Sequence, residues 1–300
     1  MKRGVLFALG LAVLLQACGQ TPTAFRPLPS ALGDIRGVAM GFEGLLPLQE
    51  GEGIYAAWIN LERGEIVGLG RFRVNENGRP IDENGDLIER FVADQNLFKS
   101  VSVLITIEPF GAVGGSPGSA VILQGPVIEG VAQLTVPSPQ GVQGAQGSYR
   151  VFTPTDGPGT NEGSGVWAAS VAGGPLLQLP ALNNLYAYEH YMVIDGVTLT
   201  MGRFLSPNAA DFINLYSGSE PAPAFPGEDF LVNAPAGVTF PANLAGARLI
   251  VTLEPILDDT SDPSQLVILE ATLPGSVVGG ETIALTNRVA DFPSGTAVIF

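Results

Sequence analysis

Several residues have types and spacings that could support catalysis or metal binding. Gly114 to Gly118 reads GGSPG and fits the Gly-x-Ser-x-Gly nucleophile elbow of α/β-hydrolases. The elbow needs a backbone N–H directly after the serine for its oxyanion hole, and Pro117 has none. A tight turn is therefore the favoured interpretation, and an extracytoplasmic hydrolase stays only as a remote alternative.

Two acidic stretches have spacings that suit a calcium ion, which prefers carboxylate and carbonyl oxygens. The first stretch contains Asp82, Asn84, Asp86 and Glu89, and the second contains Asp258, Asp259 and Asp262. The first stretch lacks the glycine and the terminal acid of an EF-hand loop, so solvated acidic turns are the favoured interpretation. Calcium is the one cofactor left open. One histidine and one cysteine exclude the usual structural zinc sites.

The N-terminus has the features of a secretory signal. Lys2 and Arg3 precede an apolar run from Gly4 to Leu15, which is too short for a membrane span of about 20 residues. The run ends in Leu-Gln-Ala-Cys, and Cys18 is the only cysteine of the chain. This end resembles the lipobox of bacterial lipoproteins. The resemblance implies a signal peptide at 1–17, lipidation of Cys18 with acyl chains such as palmitate, and attachment to a bacterial membrane.

The charge balance limits the expected partners. The full chain has a net charge of −15, and removing residues 1–17 takes away two basic residues, which gives −17. Such a chain repels nucleic acid and anionic headgroups. We expect contact with the membrane through the N-terminal lipid, and an envelope protein or a glycan as further partner.

An internal repeat organises the rest of the chain. LITIEPFGAVGGSPGSAVILQG, from Leu104, returns as IVTLEPILDDTSDPSQLVILEA, from Ile250, without a gap. YAAWINLERGEIVGLGRF returns as YEHYMVIDGVTLTMGRF. The repeat predicts a first unit at 37–136 and a second at 165–300. A stalk at 18–36 precedes them, and a Gly/Pro/Gln-rich linker at 137–164 separates them.

Each copy reads as a series of short strands. Val101, Val103, Ile105 and Ile107 alternate with polar residues, which is the pattern of a half-buried strand. Proline follows both Glu108 and Glu254, so we expect these glutamates at outward strand ends on a sheet edge. Asn-Gly and Asp-Gly pairs supply hairpin turns. The sequence therefore predicts an all-β protein of two tandem, duplicated β-sandwich domains.

The copies differ by 14 residues, which fall within 205–239 of the second copy. A loop of this length is usually functional or disordered, and its aromatic residues argue against disorder. The candidate ligand residues in it are Asp211, Tyr216, Phe225, Glu228, Asp229 and Phe230. An alternative is that its aromatic residues fix the loop over a sheet edge. His190, the only histidine, matches Ala57 of the first copy, so we expect it to be a packing or surface residue.

The repeat resembles the extracytoplasmic C-terminal domain of anti-sigma-K-type factors. The resemblance rests on YAAWI, GLGRF, ITIEPFGAVGGSP and VILQG in the first copy. YEHY, GRF and FPGEDF in the second copy are similar to anti-sigma-factor-like surface proteins of bacteria. Such factors have a cytoplasmic sigma-binding segment and a membrane helix ahead of this domain. Here only three residues precede the apolar run, so we do not expect direct inhibition of a sigma factor.

These observations predict a non-enzymatic lipoprotein of the cell envelope that acts as a binding or structural module. A calcium-dependent adhesion or ligand-binding surface protein is the alternative function.

Overall fold

The computed structural model describes residues 34–48, 53–110, 115–118, 120–137, 140–182, 186–256 and 262–300. The predicted signal peptide, Cys18, most of the stalk, and Asp258 and Asp259 lie outside the described residues. Within the described ranges, no helix has the length and apolarity needed to span a membrane.

The described chain is built from antiparallel strands and short 3-10 turns, which confirms the prediction of an all-β fold. The first eight strands are β1 (Gly37–Glu43), β2 (Ile54–Leu61), β3 (Ile66–Val74), β4 (Pro80–Ile81), β5 (Phe91–Val92), β6 (Ser100–Glu108), β7 (Val121–Ile128) and β8 (Val131–Thr135). The remaining strands are β9 (Gln146–Val151), β10 (Gly165–Trp167), β11 (Leu177–Gln178), β12 (Tyr186–Ile194), β13 (Val197–Phe204), β14 (Gly227–Asp229), β15 (Arg248–Pro255), β16 (Val267–Thr272), β17 (Thr282–Ala284), β18 (Thr286–Asn287) and β19 (Ser294–Ile299). The 3-10 turns are Glu62–Gly64, Val142–Gly144, Pro154–Asp156 and Val289–Asp291.

These strands form three sheets. The largest has nine strands in the order β4-β3-β2-β6-β7-β8-β19-β1-β5. This sheet curls so that strands near its two ends approach each other. The Phe42 ring of β1 stacks on the Phe72 ring of β3, and the two ring centroids are 5.5 Å apart. A second sheet has the order β13-β12-β15-β16-β18, and a third has β11-β9-β10-β14 with β17 also paired to β9.

Tight turns with left-handed backbone set the register of the hairpins. Asp195 and Gly196 both have positive φ and join β12 to β13 as a two-residue turn. Glu129 and Gly130 do the same between β7 and β8. Positive φ at both central residues defines the turn whose twist matches a right-twisted hairpin. The Asp-Gly turn predicted from the sequence is therefore confirmed.

Four strands recur with the same pairing in both copies. The order β3-β2-β6-β7 in the first copy matches β13-β12-β15-β16 in the second. The pairing of β2 with β3 shifts register after Ala57, and that of β12 with β13 shifts after His190, at the matching position. The register also shifts before Thr106 and before Thr252, which match as well. The repeat in the sequence therefore corresponds to a recurring four-stranded unit.

Outside these four strands the copies pair differently. β8 pairs with β7 in the first copy, whereas β17 pairs with β9 of another sheet. The predicted linker at 137–164 contains β9, in which Tyr149 and Val151 are fully buried. The linker prediction was wrong for β9. It relied on the Gly, Pro and Gln content of the segment and did not take into account that Tyr149 and Val151 alternate as in a strand.

The last strand belongs to the sheet of the first copy. β19 lies between β8 and β1 and pairs antiparallel with both, so that Ala297 faces Met40 on one side and Ala132 on the other. The predicted second unit at 165–300 includes this strand, but both of its partners belong to the first copy. The nine-stranded sheet therefore crosses the domain boundary predicted at 165–300.

We predict that Ala297→Asp lowers the free energy of unfolding by about 3–5 kcal/mol, because Ala297 is fully buried and an unpaired charge there has no compensation. Thr296→Asp on the more open face of the same strand is the matched control, with a change within about 0.5 kcal/mol. Urea unfolding of both variants checks this. Equal loss in both variants would contradict the burial of one face of β19.

Candidate functional site

The segment 205–239, here called the insert, begins directly after β13 and contains β14. β14 pairs with β10, so that Gly165 faces Asp229 and Trp167 faces Gly227. Gly227 lies against the Trp167 ring, where an added Cβ would come within 2.4 Å of a ring carbon. The insert is therefore joined to a sheet through its own strand, and two of its acids, Glu228 and Asp229, are buried.

Asp229 is fully buried and accepts hydrogen bonds at both carboxylate oxygens. The Trp167 indole N–H donates to Oδ1 at 2.7 Å. The backbone N–H and the hydroxyl of Thr155 donate to Oδ2 at 2.9 Å and 2.5 Å. Burial raises the pKa of Asp229, and these hydrogen bonds to the charged form partly oppose that rise. The carboxylate thus joins β14, β10 and the turn at Thr155.

Glu228 is also fully buried and is held by donors of the insert itself. The Leu215 N–H donates to Oε2 at 2.8 Å, and the Ser217 hydroxyl donates to Oε1. Burial raises the pKa of Glu228 to about 7, and the negative charge of Asp211 contributes in the same direction. Hydrogen bonds from Ser217 and Leu215 oppose the shift. Glu228 therefore titrates near neutral pH inside the protein.

The only histidine lies in a buried chain of three polar side chains. His190 Nε2 is 2.9 Å from the Met201 carbonyl and 3.1 Å from Asp211 Oδ2, and its Nδ1 is 2.9 Å from the Tyr149 hydroxyl. Since both neighbours of Nε2 are acceptors, Nε2 carries a proton and donates to them, while Nδ1 pairs with the Tyr149 hydroxyl. Burial, and then the charge of Asp211, raise the pKa of Tyr149 well above its ordinary value. Asp211 also accepts the Gly227 N–H at 2.9 Å.

The sequence interpretation of His190 as a packing or surface residue missed this network. His190 is fully buried, as expected for packing, but it also bonds to the insert through Asp211. The first copy has Ala57 at the matching position and no insert. The simultaneous presence of a histidine and of an acidic insert in one copy was the signal that could have revealed the pair.

One aromatic residue of the insert, Phe230, also faces inward and packs against two other rings. Phe230 is fully buried, and its ring lies 5.9 Å from that of Tyr216 and 5.8 Å from that of Phe240. Phe225 is only half-buried. Among the six predicted ligand residues, the structure thus brings Asp211, Tyr216, Glu228, Asp229 and Phe230 into internal contacts. This arrangement agrees with the alternative in which the insert covers a sheet edge.

The edge that the insert covers is β13, the first strand of its sheet. The Phe212 N–H donates to the Arg203 carbonyl at 2.9 Å, and an added Cβ on Gly202 would meet Ile213 and Asp211. An uncovered edge strand offers unpaired backbone groups to other chains. The insert therefore covers some of the unpaired backbone groups on the edge of β13.

A buried glutamate lies on the central strand of the first copy's unit. Glu108 Oε1 accepts the Thr106 hydroxyl at 2.5 Å and the Gly118 N–H at 2.7 Å. Thr106 in turn accepts the Trp58 indole N–H at 2.8 Å. Gly118, the last glycine of GGSPG, thus donates to a structural carboxylate, as a turn held against β6 would.

Glu254 repeats this arrangement in the second copy. Its Oε1 accepts the Thr252 hydroxyl, the Ser264 N–H at 2.9 Å and the Tyr191 hydroxyl at 3.4 Å. Burial raises the pKa of Tyr191, and the charges of Glu254 and Glu189 add to this. The expectation that Glu108 and Glu254 lie at outward sheet edges was wrong, because β6 and β15 are central strands whose ends are covered on both faces.

The predicted calcium residues are placed as turn residues where the structure describes them. Asp82 Oδ1 accepts the N–H groups of Asn84 and Asp86, both at 2.9 Å, and these bonds lower the pKa of Asp82. Glu89 and Asp262 are exposed. Across the described ranges, no group of three or more His, Cys, Asp or Glu side chains is placed to hold a metal ion.

A shallow pocket of ≈ 380 Å³ lies beside the turn Pro154–Asp156. The Arg150 guanidinium stacks over the Phe152 ring at 4.4 Å from its centroid, and Glu162 and Glu220 contribute two carboxylates to the lining. The lining residues are Phe152, Thr153, Pro154, Gly157, Pro158, Glu162, Glu220 and Pro221. An aromatic ring with a few polar groups is the usual composition of a ligand site.

We predict that Asp82→Ala lowers the melting temperature equally with and without a calcium chelator, because the lost interactions are backbone hydrogen bonds of a turn. Glu83→Ala, which changes an exposed neighbour, is the control and leaves the melting temperature nearly unchanged. A melting temperature that falls on chelation in the parent chain and not in Asp82→Ala would instead favour a calcium site.

We predict that Glu228 makes stability fall as pH rises from about 4.5 to about 7. Its pKa is raised in the folded state, so in this window the folded state binds more protons than the unfolded state. The loss is about 3 kcal/mol by this linkage. Glu228→Gln removes it, since the amide can accept from Leu215 and donate to Ser217. Glu220→Gln, at an exposed acid of the insert, retains it. Urea unfolding between pH 4 and 8 measures the difference, and identical pH profiles for parent and Glu228→Gln would refute it.

The chain was compared with protein-family models, with curated proteins and with solved structures, and none of them matches it.

Proposed function

We propose that this chain is a non-catalytic lipoprotein of a bacterial cell envelope that serves as a rigid structural or binding module. It is attached through Cys18 on the extracytoplasmic side and does not inhibit a sigma factor directly. The function is thus mechanical or adhesive: the fold presents a surface, and no covalent step takes place on it.

The observation that carries this proposal is that all three carboxylates that sequence reasoning singled out in the insert bind groups of the same chain. Asp211, Glu228 and Asp229 each accept hydrogen bonds from groups of this chain, and both nitrogens of His190 have partners. A catalytic acid or base must reach a substrate proton at about 3 Å, directly or through one water. These side chains are instead directed at backbone and side-chain groups that hold the insert in place.

The N-terminal sequence supports the location. Cys18 stands where the lipobox requires a cysteine, and it is the only one in 300 residues. The similarity to the extracytoplasmic part of anti-sigma-K-type factors agrees with a position outside the cytoplasm. The net charge of −15 supports neither a nucleic acid nor an anionic surface as partner.

Ligand binding is a second candidate, favoured by the pocket beside Pro154–Asp156. The Phe152 ring and the carboxylates of Glu162 and Glu220 suit an envelope peptide or glycan. Calcium dependence gains no support from Asp82, whose Oδ1 holds its own turn. A hydrolase gains none from GGSPG, because Pro117 has no N–H to offer after Ser116 and the N–H of Gly118 is bonded to Glu108.

We predict that the parent chain, expressed in a bacterium with its own signal, incorporates labelled palmitate and that Cys18→Ser does not. The thiol is the group that receives the first acyl chain, and a serine cannot replace it. Thr23→Ala, five residues further on, is the matched control and keeps the label. An unlabelled parent, or a label that persists in Cys18→Ser, would contradict lipidation at this residue. Gel fluorography of membrane fractions gives the readout.

A further inference from the structure

Part of the outer surface of the insert is formed by large apolar side chains. Five of its large hydrophobic side chains are exposed, and Phe212 is 65% exposed. The five are Leu205, Phe212, Ile213, Leu215 and Val232, here called the apolar face. Isolated exposed hydrophobic residues are normal, whereas a group of them on one segment marks an interaction surface.

These residues are near each other in the sequence, and hydrogen bonds connect the backbone segments that carry them. Phe212 bonds through its backbone to Arg203, two residues before Leu205. The side-chain amide of Asn233 donates to the Leu215 carbonyl at 2.8 Å, which places the neighbouring Val232 beside Leu215. Ile213 lies between the two groups in the chain and contacts the end of β13 at Gly202. The apolar face thus extends from the edge of β13 across the insert.

The insert has almost no charge on its outside. Residues 205–239 contain no Lys, Arg or His and four acids. Asp211, Glu228 and Asp229 are directed inward by the hydrogen bonds described above. The fourth, Glu220, is exposed and lies at the pocket beside Pro154–Asp156. The five side chains of the apolar face are uncharged, and Glu220 is the one acid of the insert that is not directed inward.

We propose that the apolar face docks on a lipid bilayer. This rests on the proposed lipoprotein function, because the lipid anchor supplies the proximity. From Cys18 to Gly37, where β1 begins, the chain can span at most about 65 Å when fully extended. The folded part therefore stays within that distance of the membrane. Contact between two copies is disfavoured by the net charge of −15 on each.

The test places a fluorescent indole on the apolar face. The full chain with Phe212→Trp is reconstituted in phosphatidylcholine vesicles whose acyl chains carry bromine, a quencher of indole fluorescence. Ile128→Trp is the matched control, because Ile128 is 68% exposed but lies at the end of β7 in the first copy. The native Trp58 and Trp167 are buried and give a constant background. We expect strong quenching in Phe212→Trp and little in Ile128→Trp.

A second pair of variants tests the contribution of one side chain. Leu205→Trp reports docking from the other end of the apolar face, with and without Phe212→Ser. Because a buried Phe side chain contributes about 1.5–3 kcal/mol, Phe212→Ser should lower the ratio of docked to undocked protein roughly tenfold or more. Phe212 is exposed, so the substitution leaves the core unchanged.

The remaining outcomes separate the two proposals. If the chain floats with the vesicles but both indoles stay unquenched, or are quenched equally, the docking proposal is wrong and the lipid anchor stands. If the chain does not float with the vesicles, the lipoprotein function fails, and docking fails with it. Should the indole of Phe212→Trp be shielded from water in a concentration-dependent way without quenching by bromine, the occupant is a second copy and not a bilayer.

Discussion

Burying a carboxylate in an all-β protein requires hydrogen-bond donors, and in both copies of the repeated unit these donors converge on one oxygen of a glutamate at a strand end. β6 and β15 are covered on both faces near their ends, so a glutamate there cannot reach bulk water. Glu108 and Glu254 are held by a threonine two residues earlier and by a backbone N–H from the following loop. Each glutamate therefore fixes the loop after its strand to the centre of a sheet.

The insert applies the same rule in the copy where it occurs. Its acids are directed inward onto Trp167, Thr155 and His190, while its hydrophobic residues are divided between the core and the surface. Burial raises the pKa of Glu228 to about 7 and raises that of Asp229, which is the direction expected when burial disfavours the charged carboxylate. The insert thus buries its acids while it leaves the Phe212 side chain exposed to solvent.

Local sequence patterns allowed part of the fold to be predicted. The strands around Val103 and Ile105, the Asp-Gly hairpin and the all-β class follow from alternation and turn chemistry, which act over a few residues. The roles of Glu108, Glu254 and His190 depend on partners far along the chain, such as Trp58 and Asp211. The strand pattern placed the two glutamates wrongly, and comparison of His190 with Ala57 predicted a packing residue without its hydrogen bonds. The position of β19 was missed for the same reason. Its partners β1 and β8 are far away in the sequence, and a pattern read over a few residues does not indicate such pairing.

The placement of β19 has a consequence for how the protein reaches its native state. Residues 294–299 fill the gap between β8 and β1, and no earlier segment of the described chain takes that place. During synthesis the first sheet must therefore wait, with two facing strand edges unpaired, until nearly the whole chain has emerged. Non-local strand pairing of this kind is slow, and open edges attract other chains. The facing edges of β8 and β1 are thus open to pairing with other chains until residues 294–299 have been synthesised.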